Sequence, residues 1–211
     1  MSSDSSSFLD EAKADSLPLY EAKLIHQYDH RWATYGVDGL SRDLADEEKS
    51  DPDLSVIPRY WVDTSLVQEK LRERAWNHGW LMGWRDITGV EKIRTTIASI
   101  IPLAGAGNTT PLLMTSQPVE MAACLLANLN SLVLDYVARV KVGGIHLTFG
   151  YLKQFPILPP ARYSQRDLAF IAVFPHLWSA ISLEKPYSFP VTVARQLLEC
   201  AQPPHTFPRV S

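Results

Sequence analysis

Residues 118–144 read PVEMAACLLANLNSLVLDYVARVKVGG, and the fold is decided here. Met121, Ala122, Leu125, Leu126, Leu129, Leu132, Val133, Tyr136 and Val137 recur at helical spacing, which predicts one long amphipathic helix over 118–140 with a broad apolar stripe. Glu120, Asn128, Ser131, Asp135 and Arg139 fall largely on the opposite side. Pro118 suits a first helical turn, and Gly143-Gly144 stops the helix.

Upstream of this helix the pattern changes. WLMGWRDI (80–87) and IRTTIASIIP (93–102) are rich in β-branched and aromatic residues and read as strands. Leu103 to Asn108 is a glycine-bearing turn, and Pro111 to Met114 reads as the return strand of a hairpin. Asp63 or Thr64 caps a helix running to about residue 78, with Leu66, Val67, Leu71 and Trp76 on its apolar side. Downstream, Thr148 caps a short helix and Pro156 to Pro160 forms an extended exit. Ser164 caps a helix over about 165–182 that Pro175 kinks, and a last helix covers 191–200. The expected fold is α+β: a small, mainly antiparallel sheet packed on a long helix, with helical flanking segments.

Residues 1–16 are rich in Ser and Asp and read as a flexible tail. Residues 17–35 mix aromatics with charge and read as ordered, and 36–58 are acidic and turn-rich, as a surface loop is. The organisation expected is therefore a tail (1–16), a domain (17–160) and a helical C-terminal extension (161–211).

With 211 residues, 46% apolar and 20% charged, the chain is the size of one ordinary domain with a packed core. Two cysteines, Cys124 and Cys200, are too few to staple a secreted scaffold. The first residues lack a signal-peptide pattern, and no run of 18 apolar residues exists. The expectation is a cytoplasmic chain without a membrane partner. The net charge of −3 is unevenly spread: residues 1–79 carry 9 basic and 16 acidic side chains, residues 80–211 carry 11 and 7. The second half can approach phosphate while the first repels it.

Ala104-Gly-Ala-Gly107 follows a strand but leads into Asn108-Thr-Thr-Pro111. A phosphate loop must open a helix, so this is a turn. No Gly-x-Ser-x-Gly elbow is present, and no Glu-x-Lys follows Pro52-Asp53. If 21–31 is helical, His26 and His30 share a face, as two ligands of a metal-dependent hydrolase would, although no third ligand is evident. The stretch Arg139-Val-Lys-Val-Gly-Gly-Ile-His146 places two cations and a histidine around paired glycines, with Phe149, Tyr151 and Lys153 following. Cations neutralise phosphate and glycines permit close backbone approach. The same cations also complement a helix C-terminus, so capping is the competing reading.

Leu126 to Gly144, followed by Tyr151-Leu-Lys-Gln-Phe-Pro-Ile-Leu-Pro-Pro160, resembles the C-terminal part of large adenine-specific DNA methyltransferases of restriction–modification and phage-defence systems, including type IIG enzymes. Leu17 to Tyr35, Trp84 to Ile87 and Ile100 to Leu103 are similar to further stretches of that family, and the helix–turn–LKQFPILPP arrangement is similar to target-recognition domains of type I specificity subunits. The family's glycine-rich S-adenosylmethionine loop and its Asn/Asp-Pro-Pro-aromatic motif have no counterpart here. Leu158-Pro-Pro-Ala161 and Gln202-Pro-Pro-His205 lack both the Asn or Asp and the aromatic.

The resemblance therefore implies a recognition region without its enzyme. No independent activity is expected, and S-adenosylmethionine is expected only in a catalytic partner. The partners it implies are double-stranded DNA and a methyltransferase or restriction subunit. Arg139, Lys141 and Lys153 are the candidate phosphate contacts, with Gly143 and Gly144 allowing close approach and Lys92 and Arg94 as secondary candidates. His146 and Asn108 are the candidates for base readout. The alternative is a protein-interaction module or inactive remnant, with the aromatic segment 19–35 (Tyr20, Tyr28, Trp32, Tyr35) either as its docking face or as a closure of this domain's own core.

Overall fold

A computed structural model describes residues 5–51 and 53–163. The helices expected over 165–182 and 191–200 lie outside the described residues. After a 3-10 turn at Ser5–Ser7, the strands are β1 (Phe8–Leu9), β2 (Ser16–Tyr20), β3 (Ala33–Tyr35), β4 (Ser41–Asp43), β5 (Trp61–Asp63), β6 (Trp80–Trp84), β7 (Ala98–Pro102), β8 (Gly105–Ala106) and β9 (Leu112–Leu113). The helices are α1 (Asp46–Ser50), α2 (Thr64–Glu73), α3 (Val119–Leu129), α4 (Leu132–Lys141) and α5 (Phe149–Leu152). The fold is α+β with small, mainly antiparallel sheets.

The strands form three sheets: β1-β5-β2-β8, β3-β4 and β7-β6-β9. All pairings are antiparallel except β2 with β8, which is parallel. Phe8 pairs with Val62 and Leu9 with Trp61, so sheet pairing already begins within the stretch expected to be a tail. Gly105 sits where β8 meets β2. A Cβ there would lie 2.5 Å from Val62 Cγ1 and 2.9 Å from Leu19 Cδ1, so only glycine fits this close approach.

Three expectations need correction. First, Leu112 and Leu113 pair with Gly83 and Met82 of β6. The segment 111–114 is thus not the return strand of 93–102 but lies on the far side of β6. Second, β7 begins only at Ala98. The amides of Thr95 and Thr96 donate instead to Asp135 Oδ1, at 2.7 and 2.9 Å, which takes them out of any ladder. Third, α2 stops at Glu73 rather than near 78. Ala75 adopts a left-handed φ of 52°, and Trp76 folds back, its amide donating to Leu71 O and its Nε1 to Trp80 O. The α2 cap is as expected, with the Asp63 carboxylate accepting from Ser65 N at 2.8 Å.

The long helix is also two helices, α3 and α4, bent by 59° at Asn130-Ser131. Asn130 ends α3 and turns its amide onto Ala98 of β7. Ser131 restarts the helix, its hydroxyl accepting from Leu134 N. The break rotates the second half of the expected stripe. On α3 the residues Ala122, Leu126 and Leu129 are buried as foreseen, and Ala123 and Cys124 are buried with them. On α4 the buried residues are Leu134, Asp135 and Ala138, while Leu132, Val133, Tyr136 and Val140 are 77, 75, 70 and 73% exposed.

The main core lies where α3 and the α4 inner face meet β6 and β7, around Trp84, Ile100, Ile101, Leu126, Leu129 and Leu147. Leu24, Ile25, Tyr20, Tyr28 and Tyr35 extend the same core toward β2 and β3. No single helix among the described residues is long and apolar enough to cross a membrane.

Candidate nucleic-acid interface

Three chain segments converge at the end of β6. Leu147, fully buried, anchors the loop that follows α4: its carbonyl accepts from Trp84 Nε1 at 2.8 Å and its amide donates to Asp86 O at 2.7 Å. Thr88 N donates to Ile145 O at 2.9 Å, and Ile87 bridges His146. Asp86 N in turn donates to Thr109 O at 3.0 Å. Loop 143–148 and turn 107–110 are thus both fastened to the Asp86 backbone.

Two of the expected site residues are brought together by this arrangement. His146 Nδ1 lies 2.6 Å from Asp86 Oδ2, and Asn108 is exposed on the turn closed by Thr110 N donating to Gly107 O. Lys141, Gly143 and Gly144 precede His146 on the same exposed run. A Cβ on Gly144 would meet nothing within 4 Å, and one on Gly143 only Tyr151 Oη at 4.0 Å, so backbone is open to a ligand there. Both glycines have ordinary negative φ. They stop α4 without a left-handed cap; the helix closes through Val142 N donating to Ala138 O at 2.8 Å. Lys153 follows as the exposed cap residue of α5.

Apart from Asp86, the charges carried by this run are basic. From Tyr136 to Tyr163 the sequence holds Arg139, Lys141, Lys153 and Arg162 and no Asp or Glu. Lys141 and Lys153 form no ion pair among the described residues.

The remaining three expected residues, Arg139, Lys92 and Arg94, gather elsewhere. With Ile93, Leu132 and Tyr136 they line an open concavity of about 560 Å³ beside α4. Arg139 is engaged neither in capping α4 nor with open solvent, but with a neighbouring loop. Its guanidinium donates to Val90 O at 2.7 Å and to Lys92 O and Ile93 O at 2.5 Å each, and its Nε to Asp135 Oδ2 at 3.1 Å. Arg139 is a clamp that holds loop 90–93 on α4. Arg94 likewise donates to Asn130 O. Lys92 is exposed, 3.8 Å from the Glu91 carboxylate.

The sequence reading missed Asp86 and Asn130. Asp86 stands directly after a strand beside a charged neighbour, a position that carries no periodic signal. Asn130-Ser131 did carry one, since Asn ends helices and Ser begins them; the surrounding leucines masked it.

The helical premise of the histidine pair also fails. Residues 22–24 form one 3-10 turn, and the chain then reverses, with Asp29 N donating to His26 O, His26 N donating to Asp29 O, and Tyr28 at φ 59°. His26 packs on Trp32 with ring centroids 4.2 Å apart. Burial, followed by the nearby Arg85 charge, pushes its pKa down to about 4. Among the described residues no group of three or more His, Cys, Asp or Glu is placed to hold a metal ion. The expected docking face fares no better, because Tyr20, Tyr28 and Tyr35 are buried core residues.

No protein-family model matches this chain, and no curated protein or solved structure is similar to it at a significant level.

Proposed function

We propose that the chain recognises duplex DNA, as the target-recognition part of an adenine-specific DNA methyltransferase or restriction–modification system of the cytoplasm. The observation that carries this reading is the exposed run from Lys141 to Lys153. It combines cations that have no ion-pair partner among the described residues and open glycine backbone with a histidine braced by Asp86. Lys141 and Lys153 neutralise phosphates, Gly143 and Gly144 let the backbone approach, and His146 with Asn108 contacts base edges. Methyl transfer and S-adenosylmethionine belong to a partner. The test is a duplex-binding titration of Lys141→Ala plus Lys153→Ala: binding is weakened while the fold is kept, and unchanged binding counts against this assignment.

A second reading is favoured by one observation of its own. Leu132, Val133, Tyr136 and Val140 expose an apolar face along α4, with Ile93 beside it in the loop that Arg139 holds down. Apolar faces of this kind mark interaction surfaces, and a methyltransferase or restriction subunit is the partner this system requires. The interaction face thus moves from segment 19–35 to α4.

A further inference from the structure

One residue, Asp86, holds both segments assigned to base readout. The Asp86 backbone holds the turn of Asn108 through Thr109 O and the loop of His146 through Leu147 N, while its side chain holds the imidazole itself. The Asp86 side chain is 17% exposed and that of His146 is 52% exposed. The acid is therefore sheltered and the ring is presented to solvent. An ionised carboxylate can only accept hydrogen bonds, so the ring nitrogen facing it carries the hydrogen. In a neutral imidazole the other nitrogen is then an acceptor. That nitrogen, Nε2, makes no hydrogen bond among the described residues.

We infer that Asp86 is a specificity-setting positioning residue: it holds His146 in the Nδ1–H form, so that Nε2 accepts a hydrogen bond from the exocyclic amino group of a nucleobase. The inference rests on the DNA reading above. In the major groove such donors are adenine N6 and cytosine N4, whereas guanine O6 and N7 and thymine O4 are acceptors that would face the Nε2 lone pair. Asp86 thereby acts as an orienting second partner, as carboxylates do for metal-binding histidines.

Two measurements on the full chain test this. The first is the ring-nitrogen chemical shift of His146 by nitrogen-15 NMR at neutral pH. A protonated Nδ1 and a bare Nε2 are expected, with the preference lost in Asp86→Asn. A dominant Nε2–H form overturns the inference whether or not DNA is bound. The second uses a duplex enriched by the chain from a randomised pool. Each adenine is replaced in turn by hypoxanthine, which swaps the amino group for a carbonyl, and each cytosine by 2-pyrimidinone, which lacks it. At one position affinity is expected to fall about tenfold in the native chain but not in His146→Ala. Loss at an adenine identifies N6 and loss at a cytosine N4. Equal losses in both proteins at every position overturn the base contact. Failure of the full chain to bind any duplex overturns the DNA reading and the base contact together, and the NMR result then separates that failure from a failure of the Asp86 pairing.

Discussion

Asn130 is bonded to both backbone polar groups of Ala98: its Oδ1 accepts from Ala98 N and its Nδ2 donates to Ala98 O, each at 2.9 Å. Because β7 pairs only with β6 among the described residues, this buried amide, together with Tyr28 N donating to Ala98 O, satisfies the free edge of β7 at Ala98. The helix breaks at the same place, with Asn130 the C-cap of α3 and Ser131 the N-cap of α4. Asn130→Leu keeps the size but leaves Ala98 N without an acceptor. We expect unfolding in urea to show a loss of about 1–3 kcal/mol. An unchanged midpoint would mean that the edge is satisfied in another way.

Arg139 anchors the loop on α4 through three carbonyls and Asp135. A lysine keeps the charge but cannot present the fork. Arg139→Lys is expected to cost about 1–2 kcal/mol and to speed hydrogen exchange of the amides in 90–96. Lys92→Ala, which removes an exposed side chain, is expected to change stability by less than about 0.5 kcal/mol.

Lys141 and Lys153 should reveal themselves through salt. Each phosphate contact adds about 0.9 to the slope of log affinity against log salt. Replacing both with Ala is therefore expected to make that slope shallower by about 2, alongside weaker binding at low salt. A parallel shift with no change of slope would place the phosphate contacts elsewhere.

His26 predicts a pH dependence. Its folded pKa of about 4 lies below the ordinary value of 6.5, through burial and then Arg85. Between these values the unfolded ring takes up a proton that the folded ring refuses. Its contribution to stability is thus present in full above pH 6.5, falls as the pH drops toward 4, and changes no further below. Denaturant unfolding at pH 7, 5.5 and 4.5 should show this fall in the native chain and a smaller one in His26→Phe, which keeps a ring against Trp32.

The exposed α4 face makes a separate prediction. Leu132→Gln plus Val133→Lys is expected to alter unfolding free energy by less than about 0.5 kcal/mol and to abolish co-purification with a methyltransferase or restriction subunit. A stability loss well above that figure would show that this face is covered within the chain itself.

Periodicity made much of the frame legible. The strand character of Trp80–Trp84 and Ala98–Pro102, the Asp63-capped α2 and the apolar stripe of α3 are all local patterns, and each is present. Long-range satisfaction of polar groups was not legible. Nothing local says that Asn130 would serve β7, that Asp135 would be drawn inward to 5% exposure by the Thr95 and Thr96 amides, or that α4 would consequently turn Leu132, Val133 and Tyr136 outward. For the same reason the sequence showed cations around a glycine pair. It did not show that Arg139 is occupied by carbonyls while Lys141 and Lys153 form no ion pair among the described residues, or that Asp86 braces His146.

The most direct test of the central claim is selection of the full chain against a randomised duplex pool at low and at physiological salt. The account predicts enrichment of one short motif that persists at the higher salt and is lost in Lys141→Ala plus Lys153→Ala. Retention of DNA without any motif, disappearing as salt is raised, or no retention at all, would contradict autonomous target recognition and leave the α4 interaction face as the function to pursue.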